Sequence, residues 1–269
     1  MHTKYCFLFL SFFAISNLNA QQLDNTALPK KAQGVVGITD AQLIDYLMIT
    51  MPNGKKEGGA SLKKQSIKTY MMPPRKADES GNTKCYALTA CAEYYINYEE
   101  NYKVNLSPDY VALSMPEDNL EEALSFLVKN GTVSADIMPY GSKFIPPSVR
   151  ATQKYAVQNF LFIFRQETKT RQKIFALRKA IVRGNPILVE MRVPSDFEEF
   201  KNEELLLAEK SMTAETAPFV IVGYDENAKT VELLGTYGSA WGDNGYLEMS
   251  YDDFGEMAVE GFVLVPEIN

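Results

Sequence analysis

The residue best suited to chemistry is Cys85, which follows a loop of small and polar residues and starts a helical pattern. Ala87, Leu88 and Cys91 come after it at the spacing of an apolar helix face. Unpaired N–H groups in the first turn of a helix lower the pKa of a thiol and favour the nucleophilic thiolate. A cysteine also packs as a small hydrophobic residue. Both interpretations, nucleophile and core residue, stay open for this stretch.

Few other residues could take part in acid–base or metal chemistry. The chain has a single histidine, His2, and the sequence contains no metal-ligand cluster, no phosphate-cradling glycine loop and no basic stripe. We therefore expect neither a cofactor nor a metal. The formal net charge of -7 and the pI near 5.0 argue against nucleic acid or an anionic membrane as a partner.

The first twenty residues have the pattern of a signal peptide. Lys4 gives a positive start, residues 7–15 are almost wholly apolar, and residues 18–20 end in the small residue Ala20 before Gln21. This apolar run is too short to cross a bilayer, and no later run is longer. We expect residues 1–20 to be removed and the protein to be exported, to the periplasm or outside the cell, without spanning the membrane.

Residues 21–60 read as an N-terminal extension before the main domain. They contain one short amphipathic helix, predicted over residues 40–48 with Thr39 as its N-cap. Three interpretations of the extension remain open: a pro-region, a linker, and a strap across the surface.

The main part of the chain changes from helical to extended patterns. After the Cys85 helix, Ser107 and Pro108 predict a helix start, because serine caps the helix and proline suits its first position. A further helix is predicted over residues 117–129. The second half is predicted to hold one helix and several strands: the helix at 170–183, and strands at 154–164, 186–192, 218–223, 230–234, 246–249 and 261–265. This order indicates an α+β protein with two lobes.

Six segments, in this order, resemble the papain family of cysteine peptidases. The segments are Cys85-Tyr86-Ala87-Leu88-Thr89-Ala90, Leu106-Ser107-Pro108-Asp109-Tyr110-Val111, Asn130-Gly131 with Met138-Pro139-Tyr140, and Val220-Ile221-Val222-Gly223-Tyr224 with Gly238-Ser239-Ala240-Trp241-Gly242-Asp243-Asn244-Gly245-Tyr246. The resemblance implies a papain-like domain over residues 61–269. Its helical lobe, at about 80–150, would surround the Cys85 helix, and its β lobe, at about 151–269, would be antiparallel and β-barrel-like.

The same resemblance implies where the catalytic partners of Cys85 would stand. Counting back six residues from Gly223 places the family's histidine at Ala217, and the Trp241 motif places its asparagine at Gly235. These positions lie 132 and 150 residues after Cys85, within the family's spacing of about 130–150. Neither residue can serve as a base or orient one.

The oxyanion-stabilising glutamine of the family would fall at Glu79, or at Ser80 if the loop is one residue shorter. An ionised Glu79 would repel the developing oxyanion, which needs hydrogen-bond donors.

The resemblance therefore implies the fold of a cysteine peptidase without its chemistry. The first hypothesis is an inactive homologue that binds a peptide or protein partner. The alternative is a divergent cysteine-type peptidase that uses Cys85 as nucleophile with a base other than histidine.

Overall fold

The computed structural model describes residues 34–54, 63–77, 82–100, 103–115, 119–194, 197–199 and 212–267. The predicted signal peptide at residues 1–20 lies outside these ranges, as do Glu79 and Ser80. Within the described ranges, six α-helices and seven strands are assigned. The helices are α1 (Ala41–Leu47), α2 (Thr83–Glu100), α3 (Pro108–Ser114), α4 (Leu120–Asn130), α5 (Thr170–Val182) and α6 (Tyr251–Met257). The strands are β1 (Lys64–Ser66), β2 (Val157–Phe164), β3 (Ile187–Pro194), β4 (Met212–Asp225), β5 (Thr230–Leu234), β6 (Tyr246–Ser250) and β7 (Ala258–Pro266).

Local capping explains where the short helices begin. The start predicted for α3 is confirmed, because the Ser107 hydroxyl accepts a hydrogen bond from the Tyr110 N–H at 3.3 Å and Pro108 takes the first helical position. The cap of α1 was predicted one residue too early. Asp40 provides it in place of Thr39, because a carboxylate oxygen accepts readily from the first N–H groups of the helix.

The central element is α2, which is buried around most of its circumference. From Cys85 to Ile96 every side chain except Ala90 is buried. Burial around most of its surface places α2 inside the core, and α2 contacts α3, α4, β3, β4 and β7. Among the described helices, none is both long and apolar enough to cross a membrane.

The strands form one antiparallel sheet in the order β2-β7-β3-β4-β5-β6, with β1 added to β4. The α+β fold class is confirmed, but the barrel-like closure is not, because the sheet is open between β2 and β6. A physical reason is visible at the edge of β2. Ile38 forms a parallel bridge to Leu161 there, so the N-terminal residues occupy the edge through which a barrel would close.

The middle of the sheet is covered on both faces. Ile187, Leu188 and Val189 of β3 are all 0% exposed, although successive side chains of a strand point to opposite faces. The α2 and α5 helices both contact β3 and β4. The core is therefore continuous from the helical lobe into the β lobe, and the Cys85 end of α2 lies at the boundary between them.

Candidate functional site

Cys85 is the third residue of α2 and is 1% exposed. The first helical turn places it where sequence analysis expected a nucleophile. The Thr89 hydroxyl donates to the Cys85 carbonyl at 2.9 Å, which ties the first turn to the second. A sulfur this deeply buried meets a substrate carbonyl only if the surrounding side chains move.

The second cysteine of α2 is a core residue. Cys91 is buried, and burial raises the pKa of its thiol, although the Leu188 N–H donates to the sulfur. Cys85 and Cys91 are both thiols, in agreement with their separation of six positions along one helix. Cys91 therefore has a packing role in which the neutral thiol is favoured.

Ala217 lies in β4, directly opposite Met191 of β3, and is 6% exposed. Because side chains alternate along a strand, its methyl group points to the same face as Phe219 and away from the face of Thr216. The position that the sequence predicts for the family's histidine thus carries a small apolar side chain in the core.

Gly235 follows β5 and is held by its N–H, which donates to the Gly245 carbonyl at 3.0 Å. A Cβ atom built on Gly235 would lie 2.7 Å from Cζ3 and 2.9 Å from Cε3 of Trp241. Cβ atoms do not approach other heavy atoms this closely, so the indole occupies the space that a side chain at Gly235 would need. An asparagine fits only if Trp241 moves.

Trp241 is fixed in this position by an aromatic cluster, which comprises Phe197, Phe219, Tyr237 and Trp241. Its indole N–H donates to the Phe197 carbonyl at 3.0 Å. Its ring centroid lies 5.2 Å from those of Phe197 and Tyr237 and 6.1 Å from that of Phe219. Such ring pairs are worth about 0.5–1.5 kcal/mol each beyond area burial, so displacing the indole from Gly235 is costly.

A polar contact crosses the boundary between the lobes beside Cys85 and Ala217. Lys84, which precedes Cys85, lies 3.5 Å from Glu190 Oε1, and the hydroxyl of Thr216, which precedes Ala217, donates to the same oxygen at 2.6 Å. We call Lys84, Glu190 and Thr216 the Glu190 bridge. It joins the start of α2 to β3 and β4, so the chain segments that carry Cys85 and Ala217 meet on one carboxylate.

A second ionic contact holds the chain segment that precedes α2 in the sequence. Arg75 Nη1 donates to both carboxylate oxygens of Glu93, at 2.8 and 2.7 Å, and Glu93 is 0% exposed. The Leu106 N–H donates to the same carboxylate at 2.6 Å. Burial raises the pKa of Glu93, and the Arg75 charge acts in the opposite direction.

The backbone of the same segment fixes the loop that follows β5. The Gly238 N–H donates to the Arg75 carbonyl at 3.1 Å, and the Ala77 N–H donates to the Thr236 carbonyl at 2.8 Å. Arg75 therefore links α2 to the loop that carries Gly235.

Sequence analysis did not identify the Glu190 bridge or the pair of Arg75 and Glu93. Glu190 does leave a signal, since it interrupts the apolar run 187–189 of a predicted strand. Its partners lie 106 residues earlier and 26 residues later in the chain, and only the fold brings them together. Among the described residues, no group of three or more histidine, cysteine, aspartate or glutamate side chains is placed to hold a metal ion.

Comparison with known proteins places this geometry in context. The model of the family described as "Papain family cysteine protease" matches residues 83–266. The resemblance to papain-like peptidases inferred from the sequence motifs is thereby confirmed. The search of curated protein sequences found no significant match.

Solved structures of plant and bacterial cysteine proteases share the fold. The Carica candamarcensis protease CMS1MS2, solved in complex with E-64, is 13% identical with a TM-score of 0.62, over 77% of this chain and 100% of that chain. Bromelain from Ananas comosus is 18% identical with a TM-score of 0.60, over 77% and 100%. Xylellain from Xylella fastidiosa is 16% identical with a TM-score of 0.60, over 86% and 94%. At these identities the likeness concerns the fold.

Proposed function

We propose that this chain, which belongs to the papain family of cysteine proteases, no longer cleaves peptide bonds and acts by binding a peptide or protein partner. The observation that carries the proposal is the indole of Trp241 in the space required by a side chain at Gly235. The base is missing as well, since the chain's one histidine, His2, stands outside residues 83–266. A thiol without a base or an orienting amide is a weak nucleophile.

The energetic consequence of these losses is large. Loss of the base alone removes about 4–8 kcal/mol of transition-state stabilisation, which corresponds to several orders of magnitude in rate. Burial of Cys85 adds the cost of exposing the sulfur before any reaction. The retained fold therefore has no remaining use in peptide hydrolysis, and recognition without cleavage is the role that suits it.

The surface beside α2 supports a partner made of protein. Phe144 is 74% exposed, and Tyr140 and Ile145 of the same loop are exposed too. The Tyr140 ring packs 6.1 Å from that of Tyr86, the residue after Cys85. Grouped aromatic and apolar side chains on a surface are typical of protein contacts.

The absence of catalysis has a direct test. Purified protein and its Cys85→Ala variant are incubated with mixed fluorogenic peptide substrates, and an active papain-family protease sets the detection limit. We expect no turnover that depends on Cys85. Turnover that disappears in Cys85→Ala would instead establish the alternative, a divergent cysteine peptidase, and Lys84 and Glu190 would be the first residues to examine as its base.

Peptide binding is tested by the midpoint of thermal unfolding in the presence of a pooled tryptic digest of casein. Ligands that bind only the folded state raise this midpoint. We expect an increase for the parent protein, a smaller one for Phe144→Ser, and an undiminished one for Phe175→Ser, which removes a comparably exposed phenylalanine from α5. An unchanged midpoint in the parent protein would contradict peptide binding.

We also propose that the protein is exported. Lys4, the apolar residues 7–15 and Ala20 support this localisation, because together they have the order of a cleavable signal peptide. Mass spectrometry of protein recovered outside the cytoplasm should find Gln21 as its first residue, and an intact Met1 would contradict the proposal.

A further inference from the structure

Residues 34–54, which we call the N-terminal strap, are built into the edge of the sheet. The Ile38 N–H donates to the Phe160 carbonyl, and the Phe162 N–H donates to the Ile38 carbonyl, both at 2.9 Å. The Ile38 side chain is buried in the main core. The strap thereby pairs with the backbone of β2 that would otherwise be an open edge.

A buried asparagine of the body also bonds to the strap. Asn159 of β2 is 1% exposed. Its side-chain carbonyl accepts from the Gly37 N–H at 2.9 Å, and its side-chain amide donates to the Val35 carbonyl at 2.7 Å. The Phe160 N–H also donates to this side-chain carbonyl at 2.9 Å, whereas the side-chain amide donates to the strap. A buried donor left without a partner costs free energy, so the body carries an amide N–H that the strap satisfies.

The second half of the strap is fixed to the end of α5. Arg183 donates to the carbonyls of Asp45 and Met48, at 3.1 and 3.0 Å, and its own carbonyl accepts from the Met51 N–H at 2.8 Å. The buried side chain of Asn185 donates to the Ile49 carbonyl at 2.8 Å. Three of these bonds join strap backbone to side chains of the body, and the fourth joins backbone to backbone. The side chains of Leu47, Met48 and Met51 are buried beneath them.

The strap also reaches the far end of the Cys85 helix. Asn53 donates to the Tyr94 hydroxyl at 2.9 Å, and that hydroxyl donates to the Gly184 carbonyl at 2.5 Å. A Cβ on Gly184, whose φ is +81°, would lie 2.7 Å from Asn53 Oδ1, and a Cβ on Gly54 would lie 2.2 Å from the Arg183 carbonyl oxygen. Glycine on both sides of the contact permits this close approach.

From these contacts we infer that the N-terminal strap is a permanent part of the folded protein and not a pro-region released by proteolysis. The body bonds to it through Asn159, Arg183 and Asn185 and packs core side chains against it. Its described contacts lie on the edge strand β2, on the end of α5 and on Tyr94, nine residues beyond Cys85 in α2. It therefore contributes to the stability of the β lobe and is not a plug over the Cys85 end of α2.

The inference is tested with two variants in the strap and with the mass of the mature protein. Ile38→Ala removes a core side chain and is expected to lower the midpoint of thermal unfolding by about 5–15 °C. Val35→Ala changes an exposed neighbour and should shift it by about 1 °C or less. Should Ile38→Ala fail to fold, Ile38→Val is expected to lower the midpoint by about 1–5 °C.

The mature protein recovered after export should retain residues 34–54, and brief digestion with trypsin should leave them bound to the folded body through gel filtration. A mature chain that starts after Gly54 and unfolds at the same temperature would overturn the inference, as would an unchanged midpoint in Ile38→Ala. Neither outcome bears on turnover or peptide binding, so the test is independent of the proposed function.

Discussion

Replacing Arg75 with alanine is expected to lower the free energy of unfolding by about 3–5 kcal/mol near neutral or mildly alkaline pH. The variant leaves the carboxylate of Glu93 inside the core without the guanidinium that compensates its charge. The Leu106 N–H remains as a donor, but one backbone hydrogen bond does not offset the desolvation of a full charge. Urea unfolding of the variant and the parent measures the difference.

The deficit of Arg75→Ala is expected to shrink as the pH falls from about 8 to about 5. Burial raises the pKa of Glu93 in the folded state, and loss of the Arg75 charge raises it further. An acid with a raised folded-state pKa binds more protons folded than unfolded, so its contribution to stability falls as the pH rises through that pKa. Protonation at low pH removes the uncompensated charge and with it part of the cost.

Two controls separate this effect from a loss of packing. Lys64→Ala breaks the exposed ion pair with Asp225, in which the lysine side chain is 69% exposed, and should change the free energy of unfolding far less than Arg75→Ala at either pH. Arg75→Met combined with Glu93→Leu removes both charges together and should cost less than Arg75→Ala alone. An equal deficit for Arg75→Ala at both pH values would contradict a role for the charge of Glu93.

Placing histidine and asparagine at the two positions predicted for the family's catalytic residues is expected to yield no peptidase. In the variant Ala217→His with Gly235→Asn, the new asparagine must displace the indole of Trp241, which lies 2.7 Å from the Cβ position. Overpacking of this kind costs about 1–3 kcal/mol. An asparagine forced against the indole cannot hold the imidazole in a defined orientation. The variant should unfold at a lower temperature and show no hydrolysis that depends on Cys85.

The measurement compares three proteins under the assay used for the parent: Ala217→His, the double variant, and the double variant with Cys85→Ala. Ala217→His alone leaves Trp241 in place and serves to isolate the cost of the clash at Gly235. Hydrolysis by the double variant that is lost with Cys85→Ala would show that the aromatic cluster does not block the site.

Much of the fold could be predicted from local patterns. Ser107 and Pro108 predict α3 because capping is a local interaction, and the strand at 230–234 coincides with β5. The hydrophobic periodicity of the sequence did not predict α6, because its seven residues include Gly255 and are too few to display a helical period. Closure of the sheet could not be predicted either, because it depends on what occupies the edge of β2, and Ile38 lies 123 residues before Leu161.

The candidate site could likewise be predicted from the sequence only in part. Motif spacing selected Cys85, Ala217 and Gly235 as the positions to examine, and the fold puts them at the start of α2, within β4 and directly after β5. What fills the space around them follows from contacts between distant segments. That the indole of Trp241 lies against Gly235 is a property of the loop after β5 and its aromatic neighbours, for which a single sequence offers no signal.

The depth of the two thiols has a consequence for the proposed export. Cys85 and Cys91 lie in the interior of α2, whereas oxidants and small disulfides outside the cytoplasm react with accessible thiolates. Both sulfurs are shielded from such reagents for as long as the protein stays folded. The molecule can thus persist reduced in an oxidising medium, without cross-linking to other chains, and needs no disulfide of its own to do so.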